Sequence, residues 1–325
     1  MSSDAQYHDF LKLRKATENK FCLFFECKNP AIEAHSIQKE RILSKLSVNG
    51  EVVVFEHKDK VFTHVQKGKR KATTFTGFCS EHDNCVFQEI ERNDYKEGNL
   101  KQETLFAYRA LVTEYHAKKS AISFFTALLF DIHSVNGVDL NKEYLQLALA
   151  GEQLGSKDIE RCLDFFRIMF ESENFSELIT KKNILDDECG LAISSAITFP
   201  FDFEGNQLDH LTIELEKPSL PLLVSIFPQR GKTFILMSFL KEGESMYYFL
   251  DDQLFKKDQK TKKKLLSNLI LKNCSNIVFS PKIWDKLSRR KKDQFIDMFT
   301  PNMLEDFNPD FAKNIPPFDF FTPLP

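Results

Sequence analysis

Two short groups of cysteine and histidine, far apart along the chain, constrain its fold more than any other feature. The stretch "FCLFFECKNP" holds Cys22 and Cys27 with four residues between them, and "GFCSEHDN" holds Cys79 and His82 with two between them. One close-set pair of soft ligands, a spacer and a second close-set pair are typical of a tetrahedral zinc site. The sequence therefore predicts one structural zinc ion bound by four side chains: Cys22, Cys27, Cys79 and His82.

Three alternatives stand beside this prediction. Free cysteines are often buried as small hydrophobic residues, and 7 cysteines in 325 residues are not an excess. Within the zinc interpretation, His35 could replace Cys22 as a ligand. Cys85 is a further candidate, although its position beside a predicted helix favours packing in the core.

The spacer between the two groups has the pattern of a β-hairpin. The segments "EVVVFEHK" and "VFTHVQ" are rich in β-formers, with a charged turn at Asp59 and Lys60 between them. After Gly77 the pattern changes to that of a helix, with Ser80 as a candidate N-cap and Asp83 three residues later. The predicted order is a first zinc knuckle, a histidine, a hairpin, a second knuckle and a helix.

The run C-x4-C, "AHSI", hairpin and "GFC-x2-HDN", within residues 20–92, resembles the zinc-bearing branch of the HNH, or His-Me finger, superfamily. In that family a ββα unit often lies between two zinc knuckles. The resemblance implies that His35 is a general base that activates water against a phosphodiester. It also implies a catalytic magnesium or manganese ion, for which Asp83 is the best-placed ligand on the helix. A near-neutral histidine and a hard cation are suited to this chemistry.

Two departures from the family pattern favour a function without catalysis. Ala34 stands where a histidine or aspartate usually precedes the base, and the helix offers Asp83 and Asn84 in place of a second histidine. Glu81 and Glu89 are weaker substitutes as cation ligands. The alternative function is therefore a zinc-stabilised binding or scaffolding protein that has lost catalysis.

The middle of the chain, residues 99–184, is predicted to be helical. "ETLFAYRALVTEYHAKKSAISFFTALLF" has a wide amphipathic face, and two further helices are expected on either side of Gly155 and Ser156. Arg109 and His116 have six residues between them, which resembles the R-x4-6-H signature of the HEPN ribonucleases. That resemblance implies a third hypothesis, a ribonuclease centred on these two residues.

The last part of the chain, residues 185–325, has the pattern of an α+β domain. Short connections between strand-like runs predict an antiparallel sheet. The predicted strands are "LAISSAITF", "HLTIELE", "LPLLVSIFP", "TFILMSFL", "SMYYFL" and "NIVF". A lysine-rich helix and a helix that begins near Pro281 are expected on one face of this sheet. The Pro- and Phe-rich tail is expected to be extended and to dock on its own domain or on a partner.

The overall prediction is an α+β protein with three segments. These are an N-terminal zinc-stabilised ββα module in residues 1–98, a helical section in 99–184 and the C-terminal domain in 185–325. Hydrophobic residues make up 42% and charged residues 28% of the chain, as in globular proteins. The net charge of -3 means that affinity for nucleic acid must come from local patches such as "KGKRK" at 67–71.

The polar N-terminus lacks the pattern of a signal peptide, and the apolar stretch "AISFFTALLFDI" is too short to span a bilayer. We therefore expect a cytoplasmic protein without a membrane partner. The first functional hypothesis is a metal-dependent nuclease that acts on DNA or RNA. Its C-terminal domain would sense or position a target, or bind a protein partner, as in a bacterial defence effector.

Overall fold

The computed structural model describes residues 3–58, 61–130, 141–199, 201–208, 219–299 and 318–321. The strands are β1 Ile32–His35, β2 Glu51–Lys58, β3 Val61–Gly68, β4 Thr74–Phe78, β5 Leu178–Leu185, β6 Leu191–Ile197, β7 Leu222–Gln229, β8 Lys232–Leu240 and β9 Ile277–Phe279. The α-helices are α1 Ser3–Ala16, α2 Ser44–Leu46, α3 Ser80–Val86, α4 Gln88–Arg92, α5 Leu100–Phe130, α6 Lys142–Ser172, α7 Gln259–Asn273, α8 Pro281–Trp284 and α9 Arg289–Phe299. Short 3-10 or π-helical turns cover Lys39–Leu43, Lys241–Tyr247 and Asp251–Phe255.

The strands form two sheets. A 2-stranded sheet pairs β1 with β4, and a 7-stranded sheet has the order β3-β2-β9-β6-β7-β8-β5 among the described residues. All neighbouring strands of both sheets are antiparallel. The predicted α+β class, the helical middle section and the C-terminal antiparallel sheet are therefore confirmed.

The large sheet is buried on both faces. Along β8, Ile235 and Met237 enter the core that contains α7 and α9, whereas Phe234 and Leu236 enter the core that contains α5 and α6. Successive side chains of a strand point to opposite faces, so a strand between two layers needs apolar residues at both odd and even positions. This explains why the C-terminal strands are almost continuously hydrophobic. The C-terminal helices cover one face, as predicted, and α5 covers the other.

The predicted hairpin is present, but it is not the ββ pair beside the zinc knuckles. β2 and β3 pair as expected, and β2 continues into the large sheet through a pairing of Val53 with Phe279. Val52 and Val54 lie in one core and Val53 in the other. β2 can bury both of its faces because it lies in a sheet that is covered by a layer on each side. The ββ pair of the N-terminal region is instead β1 and β4, and the hairpin is an insertion between them.

Three other local predictions differ from the structure. α6 is one continuous helix, and the predicted break at 155–156 does not occur. The helix is capped by Asn141, whose side chain accepts hydrogen bonds from two backbone amides. Gly155 instead allows close packing, because a Cβ there would lie 2.8 Å from the Lys118 side chain on α5. "LITKKNIL", assigned to the helical section, is the edge strand β5. "SMYYFL" is not a strand but overlaps a 3-10 turn, with Tyr247 buried.

The predicted strand "HLTIELE" lies outside the described residues, as does most of the tail. The described part of the tail docks on its own chain. Phe318, Phe320 and Phe321 are buried in the core beside α7, and the Phe320 backbone amide donates to Ser267 Oγ at 3.1 Å. Within the described ranges, no helix has the length and apolar character needed to cross a membrane.

Candidate metal centre and adjoining cleft

The four predicted zinc ligands come together in the folded chain. The donor atoms of Cys22, Cys27, Cys79 and His82 all lie within 4.8 Å of one another. His82 Nδ1 is 3.4 Å from Cys22 Sγ and 3.3 Å from Cys79 Sγ. Three thiols and one imidazole are a soft donor set of the size that encloses a tetrahedral ion. This cluster could hold a metal such as zinc.

The first knuckle is a loop that backbone contacts hold against β4. The Cys27 amide donates to the Phe24 carbonyl at 2.9 Å, and Glu26 between them has a positive φ of 52°. The Leu23 amide donates to the Gly77 carbonyl at 2.8 Å, which brings the loop beside the second knuckle. A Cβ on Gly77 would lie only 2.1 Å from the ring of Phe75, two residues earlier on β4, so the packing of that ring against the strand requires glycine.

The second knuckle is formed by the start of α3. Cys79 occupies the N-cap position, one residue before the predicted cap at Ser80, and His82 follows in the first turn. The two alternative ligands are not part of the cluster. His35 ends β1 and contacts a different loop, and Cys85 is exposed near the end of α3.

Burial changes the pKa values of Cys22 and Cys79 in this cluster and of a neighbouring tyrosine. Burial raises the pKa of Cys22 to about 12. Burial also acts to raise the pKa of Cys79, but hydrogen bonds with the His82 backbone and the neighbouring thiols lower it overall. The fully buried Tyr108 hydroxyl has no hydrogen-bond partner among the described residues, and burial and the charge of Cys22 raise its pKa.

The predicted catalytic pair lines a cleft beside the cysteine cluster. His35 ends β1, Asp83 lies in the first turn of α3, and both face a cavity of about 210 Å³. Its other lining residues are Lys39, Glu40, Asn84, Gln88, Glu91 and Arg92. The structure therefore brings together the two residues that the family resemblance singled out.

Glu91 is a cleft residue that the sequence analysis missed. The glutamates considered there do not line the cleft: Glu81 is exposed on α3, and Glu89 is 3.4 Å from the Gln102 amide. The helical segment breaks at Phe87, which ends α3 and begins α4, and this break sets which carboxylate faces the cleft. No local pattern in the sequence marks that break.

His35 is held in a form that can accept a proton. Its Nε2 atom is 3.1 Å from the carbonyl oxygen of Lys69, and a carbonyl can only accept a hydrogen bond. Nε2 therefore carries the hydrogen, and the lone pair of the neutral ring is on Nδ1. Burial lowers the pKa of His35, although the bond to Lys69 opposes this shift. The neutral imidazole is thus the dominant form near pH 7.

The carboxylates of the cleft are positioned by buried residues. Burial raises the pKa of Asp83, and the charge of Arg109 counteracts that shift. Glu91 Oε1 is 2.7 Å from Arg109 Nη2. The Gln38 side chain, which is buried, donates to the backbone carbonyls of Ile90 at 2.6 Å and Glu91 at 3.0 Å. Since Gln38 follows His35 by three residues, this contact sets the position of α4 relative to the end of β1.

Arg109 and His116 do not share a site. Arg109 pairs with Glu91 and stacks on Phe87, with Cζ 4.2 Å from the ring centroid. His116 is buried with Nε2 3.0 Å from Thr76 Oγ1, and burial lowers its pKa to about 4. Both side chains lie on α5, but they contact different residues of other elements. The HEPN-like hypothesis therefore gains no support.

The basic run at 67–71 adjoins the cleft, because Lys69 supplies the carbonyl that contacts His35. Lys67 pairs with Glu56, Lys71 pairs with Glu33, and Arg70 is exposed. A hydrogen bond from Lys39 lowers the pKa of the cleft carboxylate Glu40, and the charges of Lys39, Lys69 and Arg70 act in the same direction.

Comparison of the chain with protein-family models, curated proteins and solved structures gave no match.

Proposed function

We propose that this protein is a divalent-cation-dependent nuclease with a zinc-stabilised, HNH-like ββα unit formed by β1, β4 and α3. One observation carries the proposal: the proton-accepting form of His35 faces the same cleft as Asp83 and Glu91. A general base and a nearby pair of carboxylates are the minimal set for metal-assisted hydrolysis of a phosphodiester.

The residues have separate roles in this proposal. His35 Nδ1 accepts a proton from the attacking water, while the Lys69 carbonyl fixes the ring through Nε2. Asp83 and Glu91 hold one magnesium or manganese ion, which when bound stabilises the negative charge that develops on the phosphate. The cluster of Cys22, Cys27, Cys79 and His82 would hold a structural zinc ion, and that ion would link the start of α3, which carries Asp83, to the first knuckle.

Nucleic acid is the proposed substrate because basic side chains line the cleft together with its carboxylates. Lys39 and Arg92 line the cleft itself, and the exposed Arg70 belongs to the adjoining basic loop. Phosphate contacts by lysine and arginine supply most of the sequence-independent affinity for nucleic acid. Such a local patch is required in a chain whose net charge is -3.

Cleavage assays on the zinc-loaded protein test this proposal. Wild-type protein should cleave DNA or RNA with Mg²⁺ or Mn²⁺, and His35→Ala should reduce the rate about a hundredfold or more because the base is lost. Asp83→Ala should have a similar effect. Both variants should keep the zinc content of the wild type, since neither residue belongs to the cysteine cluster.

Glu81→Gln is the matched control, because Glu81 is an exposed carboxylate on the same helix outside the cleft. It should cleave at the wild-type rate. A wild-type protein that cleaves neither DNA nor RNA with any divalent ion would contradict the proposal.

A second candidate function is a non-catalytic, zinc-stabilised binding or scaffolding protein. Ala34 supports it, because this residue is 1% exposed and places an apolar side chain where the HNH nucleases that the motif resembles have a cation ligand. In that case the C-terminal domain provides the surface for a protein partner. Binding of a labelled oligonucleotide or of a protein partner without cleavage, unaffected by His35→Ala, would favour this function.

A further inference from the structure

Arg109 lies beneath the cleft and contacts one of its carboxylates. It is located on α5 and is 3% exposed. Its Nη2 atom is 2.7 Å from Glu91 Oε1, and the guanidinium lies over the ring of Phe87 with Cζ 4.2 Å from the centroid. Its Nε and Nη1 atoms are buried and have no hydrogen-bond partner among the described residues.

We propose that Arg109 is a positioning residue that orients Glu91 for cation binding. This inference rests on the proposed function, in which Glu91 is a cation ligand. The guanidinium contacts Oε1 of Glu91, and in this proposal Oε2 of the same carboxylate binds the ion in the cleft. Carboxylates that bind metals are commonly held in this way by an outer hydrogen-bond donor, whose loss weakens metal binding about 10- to 100-fold.

The surroundings of Arg109 match this role better than a purely structural ion pair. A buried guanidinium that pairs with one carboxylate and leaves two nitrogens unsatisfied does not by itself favour stability over apolar packing. Glu91 keeps a side chain that is 33% exposed, so the pair is buried on the arginine side and open on the cleft side. Gln38 fixes the backbone at Glu91 independently, and Arg109 determines where the side chain points.

Phe87 limits the orientation of the guanidinium itself. Its ring covers one face of the group, and it is also the residue at which α3 ends and α4 begins. Asp83 on α3 and Glu91 on α4 are therefore on opposite sides of the helix break that Arg109 packs against.

Direct Mn²⁺ binding to the full-length, zinc-loaded protein tests the inference without relying on cleavage. The free-ion electron paramagnetic resonance signal of Mn²⁺ reports the affinity. We expect Arg109→Met to weaken binding about 10- to 100-fold, and Arg109→Lys, which keeps the charge and one donor, to restore part of the loss. A residue acting only as a nearby positive charge would give the opposite sign, because its removal would tighten cation binding.

A double-mutant cycle with Glu91→Gln identifies the route of the effect. If Arg109 acts through Glu91, then Arg109→Met should cause no further loss in the Glu91→Gln background. Glu89→Gln is the matched control, since Glu89 is on the same helix outside the cleft, and it should bind Mn²⁺ like the wild type. Zinc content and thermal unfolding report whether each variant is folded. If Arg109→Met does not fold, the same cycle is made with Arg109→Lys.

The possible failures are distinguishable. If the wild-type protein binds Mn²⁺ no more tightly than the Asp83→Asn variant, the proposed function and this inference are both overturned. Wild-type binding that Arg109→Met leaves unchanged or makes tighter overturns only the inference. Independent, additive losses from Arg109→Met and Glu91→Gln also overturn it.

Discussion

The buried His116 should make the stability of the protein depend on pH in a way that one substitution removes. The side chain is 7% exposed, and its Nε2 atom is 3.0 Å from Thr76 Oγ1. The Thr76 hydroxyl donates to the Asn19 carbonyl, so its oxygen accepts a hydrogen bond from the imidazole. Because burial lowers the pKa of His116, the folded state contains the neutral ring at neutral pH. His116→Gln keeps a donor at this position but cannot titrate.

The magnitude follows from the pKa of His116, which burial lowers from the ordinary value of 6.5 to about 4. The unfolded chain takes up the proton more readily, so stability due to the neutral ring is present above about pH 6.5 and is lost as the pH falls towards 4. At about 1.4 kcal/mol per pH unit, the full loss is about 3 kcal/mol. Between pH 7 and 5.5 the same relation gives about 1 kcal/mol.

Urea unfolding of the zinc-loaded proteins at pH 7 and 5.5 measures this difference. The free energy of unfolding of the wild type should fall by about 1 kcal/mol more than that of His116→Gln over this interval. A catalytic histidine exposed to solvent would titrate near its ordinary pKa in both states and would give no such difference. Equal pH dependence of the two proteins would therefore refute the assignment of His116 as a buried neutral residue.

Three further predictions concern the cluster, the cleft and the connection to the large sheet. Cys79→Ser should lose the bound metal and increase hydrogen exchange in the first knuckle, whereas Cys85→Ser, at an exposed position, should retain the metal. Equal metal content of the two variants in elemental analysis would contradict the ligand assignment. Because burial lowers the pKa of His35, the initial cleavage rate should be constant near pH 7 and should decrease only at pH values below the ordinary histidine pKa of 6.5. A rate that still rises steeply above pH 7 would contradict this prediction. Gln229→Ala removes two hydrogen bonds to the Tyr95 backbone, of 2.8 and 3.0 Å, and should lower the free energy of unfolding by about 1 to 3 kcal/mol in urea titrations; an unchanged midpoint would exclude that contribution.

The sequence alone was sufficient for features that depend on residues close together in the chain. The spacing within each knuckle identified the four residues that form the cluster, because a short loop can bring both members of a pair to one point. The alternation of β-formers located β2 and β3, and Pro281 marked the start of α8 correctly. In these cases the local pattern and the tertiary environment favour the same conformation.

Only the tertiary structure decided features that depend on distant partners. The hairpin residue Val53 pairs with Phe279, a contact between opposite ends of the chain, and this pairing removed β2 and β3 from the predicted ββα unit. Whether Glu89 or Glu91 faces the cleft depends on how α4 packs against Gln38 and Arg109. A helix or strand pattern specifies which residues share a face, but the neighbour that covers the face is specified by packing across the whole fold.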